Sequence, residues 1–342
     1  MKDMKRWTAL AVALMLAVLP LGNVLADQAV PETFEGFSGR ELFRAVTDWM
    51  DDAEDALYEA ETEPELTERF TAGTESAILA MQEVRNRYSA GLIDASLYER
   101  LIETVYDDSI DLCDACMEAL DRMLSDERIG IETYMGRSRN ALEQTYGFAQ
   151  VYLDALEQSV ETGIMDETEY AESAIEALED VMESYQDSFE ICEELMEEGL
   201  IPTEAFLVSM RDLGSAAFRI LDRRTAILSE LYSAGSLEAG EFFNALEDGI
   251  EDRTEWIEAM TETASMLIGK NMVTEEQQLV ISSFLLEAAS DLIEEYLFYL
   301  DGMRSIGEID DMMYNLMKSL MGELTRNIGF ISDGIADEMS AA

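Results

Sequence analysis

From Tyr98 onward, apolar side chains recur in steps of three and four: Tyr98, Ile102, Val105, Leu112, Cys116, Ala119 and Met123, with Ser109 as a polar interruption. That spacing lays one apolar stripe along a helix and, sustained over this length, makes a heptad-like seam. A recurring word punctuates the seam. Gly163-Ile164-Met165-Asp166-Glu167-Thr168-Glu169-Tyr170 returns as Gly91-Leu92-Ile93-Asp94 with Tyr98, as Gly199-Leu200-Ile201-Pro202 with Phe206, and as Gly235-Ser236-Leu237-Glu238 with Phe242. Weaker forms are Asn271-Met272-Val273-Thr274 and Gly307-Glu308-Ile309-Asp310 with Tyr314. All lie on one gapless 36-residue grid, whose remaining point, Glu127, keeps Ile129 and Tyr134 in register but has its glycine displaced to Gly130. A fixed period of this size is the signature of a repeat architecture.

The word has a physical grammar. With Asp166 as N-cap, Glu169 completes a capping box, and Met165 can pack on Tyr170 as a hydrophobic staple. Gly163 sits where a left-handed residue would end the preceding helix, with Ile164 packing back about one turn in a Schellman-like ending. One short motif therefore stops one helix and starts the next. No second break recurs inside the units: residues 167–197 contain neither Pro nor Gly, and 275–300 is likewise unbroken, although Gly214, Gly249 and Gly322 fall near mid-repeat. Each repeat is thus predicted to be a single helix of roughly 30 residues, about 45 Å long, antiparallel to its neighbours.

The expected fold is all-α: about nine helices, the first near 39–61, the second near 64–89, and seven starting near 95, 131, 167, 203, 239, 275 and 311. They could close as an up-down bundle or stack as an α-solenoid, and the identical phase of every unit favours the stacked array. Phe37-Ser38-Gly39-Arg40-Glu41-Leu42 supplies the first cap and staple. One repeat domain is expected over 37–342, preceded by a linker at 27–36. Residues 1–26 have the form of a signal peptide: Lys2, Lys5 and Arg6, then apolar Leu10–Leu19, then Val24-Leu25-Ala26 as a cleavage site. That run is short of the roughly 20 residues a membrane span needs. A secreted, periplasmic or cell-envelope location follows, with no membrane insertion after the leader is removed.

Charge changes the picture most. The chain carries 74 acidic and 22 basic residues, a formal net of −52, and beyond residue 26 the only lysines are Lys270 and Lys318. Such a surface repels nucleic acid and anionic lipid. It reads first as a solubility coat, of the kind that suits salty surroundings, and second as a surface for cations or for a basic protein, peptide or polymer. There is no histidine, which removes His-based general-base catalysis and His-ligated metal.

Several motifs bear on chemistry. Cys113-Asp114-Ala115-Cys116 has redox spacing but falls mid-helix, away from the helix N-terminus that activates such thiols. With Cys192 as the third cysteine, no four-thiol metal site can form; buried structural thiols or one opportunistic disulfide are expected. Asp107-Asp108-Ser109-Ile110-Asp111 and Asp51-Asp52-Ala53-Glu54-Asp55 both match DDxxD. That spacing resembles the magnesium–diphosphate motif of terpenoid synthases and isoprenyl diphosphate synthases, which implies Asp107, Asp108 and Asp111 as metal ligands. The same pattern arises readily on a solvated acidic helix face, and the basic residues a diphosphate needs are scarce.

Residues 163–198 hold fourteen carboxylates and no Lys or Arg, with Glu172, Glu176, Glu179, Glu183, Asp187, Glu190, Glu194 and Glu197 down one flank. Like charges one turn apart repel, so this helix should respond to salt and bind calcium or magnesium diffusely through its carboxylates. Glycosidase-type carboxylate pairs are open to any chain this acidic, but sugar-stacking aromatics are thin, with Trp49 and Trp256 the tryptophans beyond the leader. Met312, Met313, Met317 and Met321 are expected to fill helical seams. The resulting expectation is an exported binding or scaffold module without a convergent polar pocket or a bound cofactor. The alternatives are an all-α enzyme with a carboxylate-based or Mg-dependent site, and a self-associating envelope or surface protein.

Overall fold

The structure, a computed structural model, describes residues 39–341, which form helices joined by short turns, with no strand among the described residues. They are α1 (Gly39–Tyr58), α2 (Glu63–Ser89), α3 (Ala95–Ser125), α4 (Ile131–Glu161), α5 (Glu167–Glu197), α6 (Thr203–Ala234), α7 (Ala239–Gly269), α8 (Glu275–Ile306) and α9 (Asp311–Ala341). The last seven begin where the 36-residue grid places them. The leader at 1–26, the linker at 27–36 and the Phe37–Ser38 staple and cap lie outside the described residues. Residues Phe43–Ala342 form one compact unit, to which the packing below refers.

The first helix stops at Tyr58, short of the expected Glu61. Its last carbonyls find partners on other helices: Arg69 of α2 donates to the Ala56 carbonyl, and Arg122 of α3 donates to that of Tyr58 at 2.9 Å. With those acceptors satisfied from outside, continuing the helix adds little.

Every grid turn has the same construction. At Gly163, φ is +70°; its N–H donates to the Val160 carbonyl at 3.0 Å, and Ile164 N–H reaches back to Ser159 at 2.9 Å. This pair of bonds defines a Schellman ending. Gly91, Gly199, Gly235 and Gly307 repeat the positive φ, and the two grid points without glycine, Glu127 (φ 57°) and Asn271 (φ 53°), take it as well. The glycine displaced to Gly130 was thus no loss of the turn, because Glu127 makes the same left-handed bend in its place.

Helix starts vary more. Asp166 and Thr274 form complete capping boxes with Glu169 and Gln277. Asp94 and Asp310 accept from the N–H three residues on, at 2.9 and 2.7 Å, whereas Gly130 and Pro202 make no side-chain cap. The staple aromatics Tyr98, Tyr134, Tyr170, Phe206, Phe242 and Tyr314 are all buried. Where the ring carries a hydroxyl, it can reach an acid thirteen residues back: Tyr170 donates to Glu157 at 3.4 Å, and Tyr314 donates to Asp301.

Each helix from α2 to α9 packs on the next in sequence, and α2 also touches α4 as α6 touches α8. Neighbours run antiparallel: Tyr98, near the start of α3, donates to the Ala155 carbonyl near the end of α4 at 3.3 Å. Helices two apart run in the same direction, as Tyr106 of α3 shows by donating to the Ala177 carbonyl of α5 at 2.9 Å. Odd and even helices therefore form two layers, with the seam residues between them. The α3 column is buried throughout, Ser109 included. No pairing among the described residues joins α9 back to α2, so these helices form an open array.

Mid-helix glycines mark tight packing. A Cβ at Gly302 would collide with the Phe243 ring, and one at Gly214 would lie 2.7 Å from Met260 Sδ.

Candidate cation-binding groove

The two-layer order gives each face of the unit a row of troughs, each between helices two apart with the intervening helix as its floor. Because identical grid positions point the same way, residues 72 apart line the same face. On α5 the outward stripe is Glu169, Glu172, Glu176, Asp180, Glu183 and Asp187; on α7 the matching positions are Glu241, Asn244, Asp248, Asp252, Glu255 and Ala259.

Between α5 and α7, over α6, lies a cleft of about 550 Å³. Its floor is apolar: Leu178, Met182, Ile220 and Leu221, with Phe189 and Trp256 edge to face at 5.6 Å. Its walls are Glu179, Glu183, Glu190, Glu193 and Glu194 from α5 and Asp252 and Glu255 from α7. One cation, the buried Arg224 of α6, faces them, bonding Asp252 at 2.7 Å and Glu179 at 3.3 Å. Partial burial raises the pKa of both acids, and Arg224 opposes the rise. Glu193 accepts from Thr263 at 2.7 Å. Among the described residues, Glu183, Glu190, Glu194 and Glu255 have no basic side chain within ion-pair distance. Free carboxylates above an aromatic and aliphatic floor suit a cation on an apolar stem, which can place its charge at the rim and its stem below.

The flank singled out in the sequence supplies Glu179, Glu183, Glu190 and Glu194 to this groove, and all four are exposed. Sequence reasoning missed the opposite wall and the floor: Asp252, Glu255, Trp256 and Arg224. The 72-residue offset that pairs Asp180 with Asp252 and Glu183 with Glu255 was available as a signal. The expectation that the helices offer no convergent polar pocket is corrected here, because troughs between next-but-one helices are closed underneath by the intervening helix.

Within Asp107-Asp108-Ser109-Ile110-Asp111 the two leading acids diverge, while Asp108 and Asp111 face Asp51 and Glu54 of the second DDxxD stretch. Asp107 turns toward α5, where burial and then Glu103, Asp180, Asp111 and Glu176 push its carboxyl up to about 6. Asp108 turns the other way, toward Asp51 and Glu54 of α1, and burial followed by Asp51, Asp111, Asp107 and Glu54 lifts it to about 7. One Asp108 carboxylate oxygen is buried without a hydrogen-bond partner. Asp111 lies exposed between the two. Adjacent residues on a helix point about 100° apart, which separates the pair. Among the described residues, no three Cys, Asp or Glu side chains converge to hold a metal ion.

The three cysteines are free and buried. Burial pushes the Cys116 thiol up to about 12 and that of Cys192 to about 11, so neither is poised for thiolate chemistry. A second cleft, of about 490 Å³, lies between α4 and α6 over α5. It is lined by Ser138, Ser188, Ser209 and Ser215 beside Tyr185 and Leu213, and an Arg139–Asp212 ion pair at 3.1 Å crosses from α4 to α6. Met312 and Met313 do not fill a seam as expected but stand exposed on α9, the last of the described helices.

Among the described residues, no helix is long and apolar enough to cross a membrane. No protein-family model matches the chain, and no curated protein is significantly similar to it.

Proposed function

We propose that this protein is an exported binding module whose acidic odd-helix face takes a basic peptide or polymer, seated in the groove between α5 and α7. The observation that carries the reading is the groove's composition: unpaired Glu183, Glu190, Glu194 and Glu255 over a Phe189–Trp256 floor. A coat serving solubility alone has no need to frame buried aromatics with unpaired acids. Lysine or arginine side chains meet both halves of the groove, their charge at the carboxylates and their methylenes on the floor. Such binding should be screened by salt, because most of the attraction is between exposed charges.

The test is titration of a short arginine-rich peptide by calorimetry or fluorescence polarisation. The triple variant Glu190→Gln/Glu194→Gln/Glu255→Gln should weaken binding at least about tenfold, a difference of about 1.4 kcal/mol. Neutralising three carboxylates away from the groove, such as Glu275, Glu276 and Glu287, should change it far less. Equal losses from the two triple variants would reduce the groove to general charge attraction and overturn the reading.

A further inference from the structure

The outward stripe that is acidic on α5 and α7 turns apolar on α9. Met313, Leu316, Leu320, Leu324 and Ile331 occupy it, each 45–55% exposed, and Met312 and Phe330 border it at 80% and 82% exposed. Two repeats earlier, the same five grid positions are Glu241, Asn244, Asp248, Asp252 and Ala259; four repeats earlier they are Glu169, Glu172, Glu176, Asp180 and Asp187. A contiguous apolar patch on a water-facing helix marks an interaction surface.

Two features identify its occupant. The first is charge. Residues 312–332 contain one carboxylate, Glu323, against Lys318 and Arg326, whereas residues 168–188 of α5 contain seven carboxylates and no basic residue. Two copies of a chain with formal charge −52 repel wherever carboxylates meet, and α9 offers them a face on which they do not. The second is symmetry. Met313 and Ile331 lie nine residues to either side of position 322, and Leu320 and Leu324 lie two to either side. Reversing the helix superimposes these four positions, though not Leu316, whose counterpart Ile328 is buried, so an antiparallel two-fold contact sets apolar side chains against apolar ones along its length.

We infer that α9 packs antiparallel on α9 of a second copy, forming a two-fold homodimer. The contact continues between chains the antiparallel order that joins successive helices within one. It is independent of ligand binding in the α5–α7 groove. Its stripe is only about 27 Å long, so the interface falls at the small end of specific contacts, with a dimer Kd of roughly 10–100 µM. Screening the remaining charge should tighten it, which makes salt a promoter of this association and an inhibitor of peptide binding.

Sedimentation equilibrium of the purified chain tests the proposal, from about 1 µM to about 1 mM in roughly 0.5 M NaCl, chosen to screen repulsion between copies. Monomer mass is expected at the low end and twice that mass at the high end. Leu320→Glu/Leu324→Glu, at exposed positions, should raise the Kd at least about tenfold with helical circular dichroism unchanged. Orientation is read by cross-linking: Met313→Cys mixed with Ile331→Cys should form the mixed disulfide, while either alone should not, its two thiols being about 27 Å apart along the pair. A chain that stays monomeric throughout overturns the proposal. So does a dimer indifferent to the double substitution, or efficient cross-linking of Met313→Cys to itself.

Discussion

Glu127 holds the left-handed backbone that glycine holds at five other grid points, and a Cβ makes that conformation costly. Glu127→Gly should therefore stabilise the protein by about 1 kcal/mol, and Gly163→Ala should destabilise it by a similar amount, both read from urea denaturation midpoints. Asp108 gives a prediction in pH. Burial, followed by the acids around it, lifts its folded pKa to about 7, so the folded chain holds a proton that the unfolded chain has released. Stability from this group is fully present below an unfolded pKa of about 3.9 and is lost as pH rises toward about 7. Melting temperature should thus fall between pH 5 and pH 8. Asp108→Asn should flatten that fall and add roughly 1–2 kcal/mol at pH 8. Much at this scale was legible in the sequence, because caps and staples act within a few residues: Asp166, Glu169 and Tyr170 do what their spacing implies. The burial of Asp108 was not, since it depends on Asp51 and Glu54 of another helix.

At the scale of the helix, the boundaries of α3–α9 could be read from one motif because Gly and Asp specify stop and start locally. The mid-repeat glycines could not be read. Gly214 and Gly302 break nothing; they let Met260 and Phe243 approach, a packing demand imposed by a partner helix. Nor could the groove be read whole, since its second wall comes from the helix two places on. A prediction at this scale concerns α5, whose exposed acids Glu172, Glu176, Glu183, Asp187, Glu190 and Glu194 include four like-charge pairs one turn apart: 172/176, 183/187, 187/190 and 190/194. Each like-charge pair costs a few tenths of a kcal/mol. Molar sodium chloride or millimolar calcium should therefore raise the melting temperature by several degrees over low-salt buffer. An unchanged melt would mean that these charges are already balanced.

For the molecule as a whole, sequential pairing makes stability a sum over neighbours. Identical turns recur every 36 residues, but direction alternates and faces are restored only every second helix. The molecule is thus a ruler graduated in steps of 72, and its reach can be changed by splicing at any two like marks. Excising residues 163–234 joins Thr162 to Gly235, one grid turn replacing another, and should yield a shorter folded protein with α7–α9 facing as before. Excising 163–198 instead joins Thr162 to Gly199 with an equally good turn and keeps the seam, since α3 and α4 bury the same grid positions. Yet it moves every later helix into the opposite layer, so that the acidic stripe of α7 and the apolar stripe of α9 turn to the other face. Both deletions should melt cooperatively, but only the longer one should keep the outward stripes of α7 and α9 on the face that α3 presents, which site-specific cross-linking between exposed stripe positions reads directly. Gene duplications that extend such a chain should accordingly be kept in pairs.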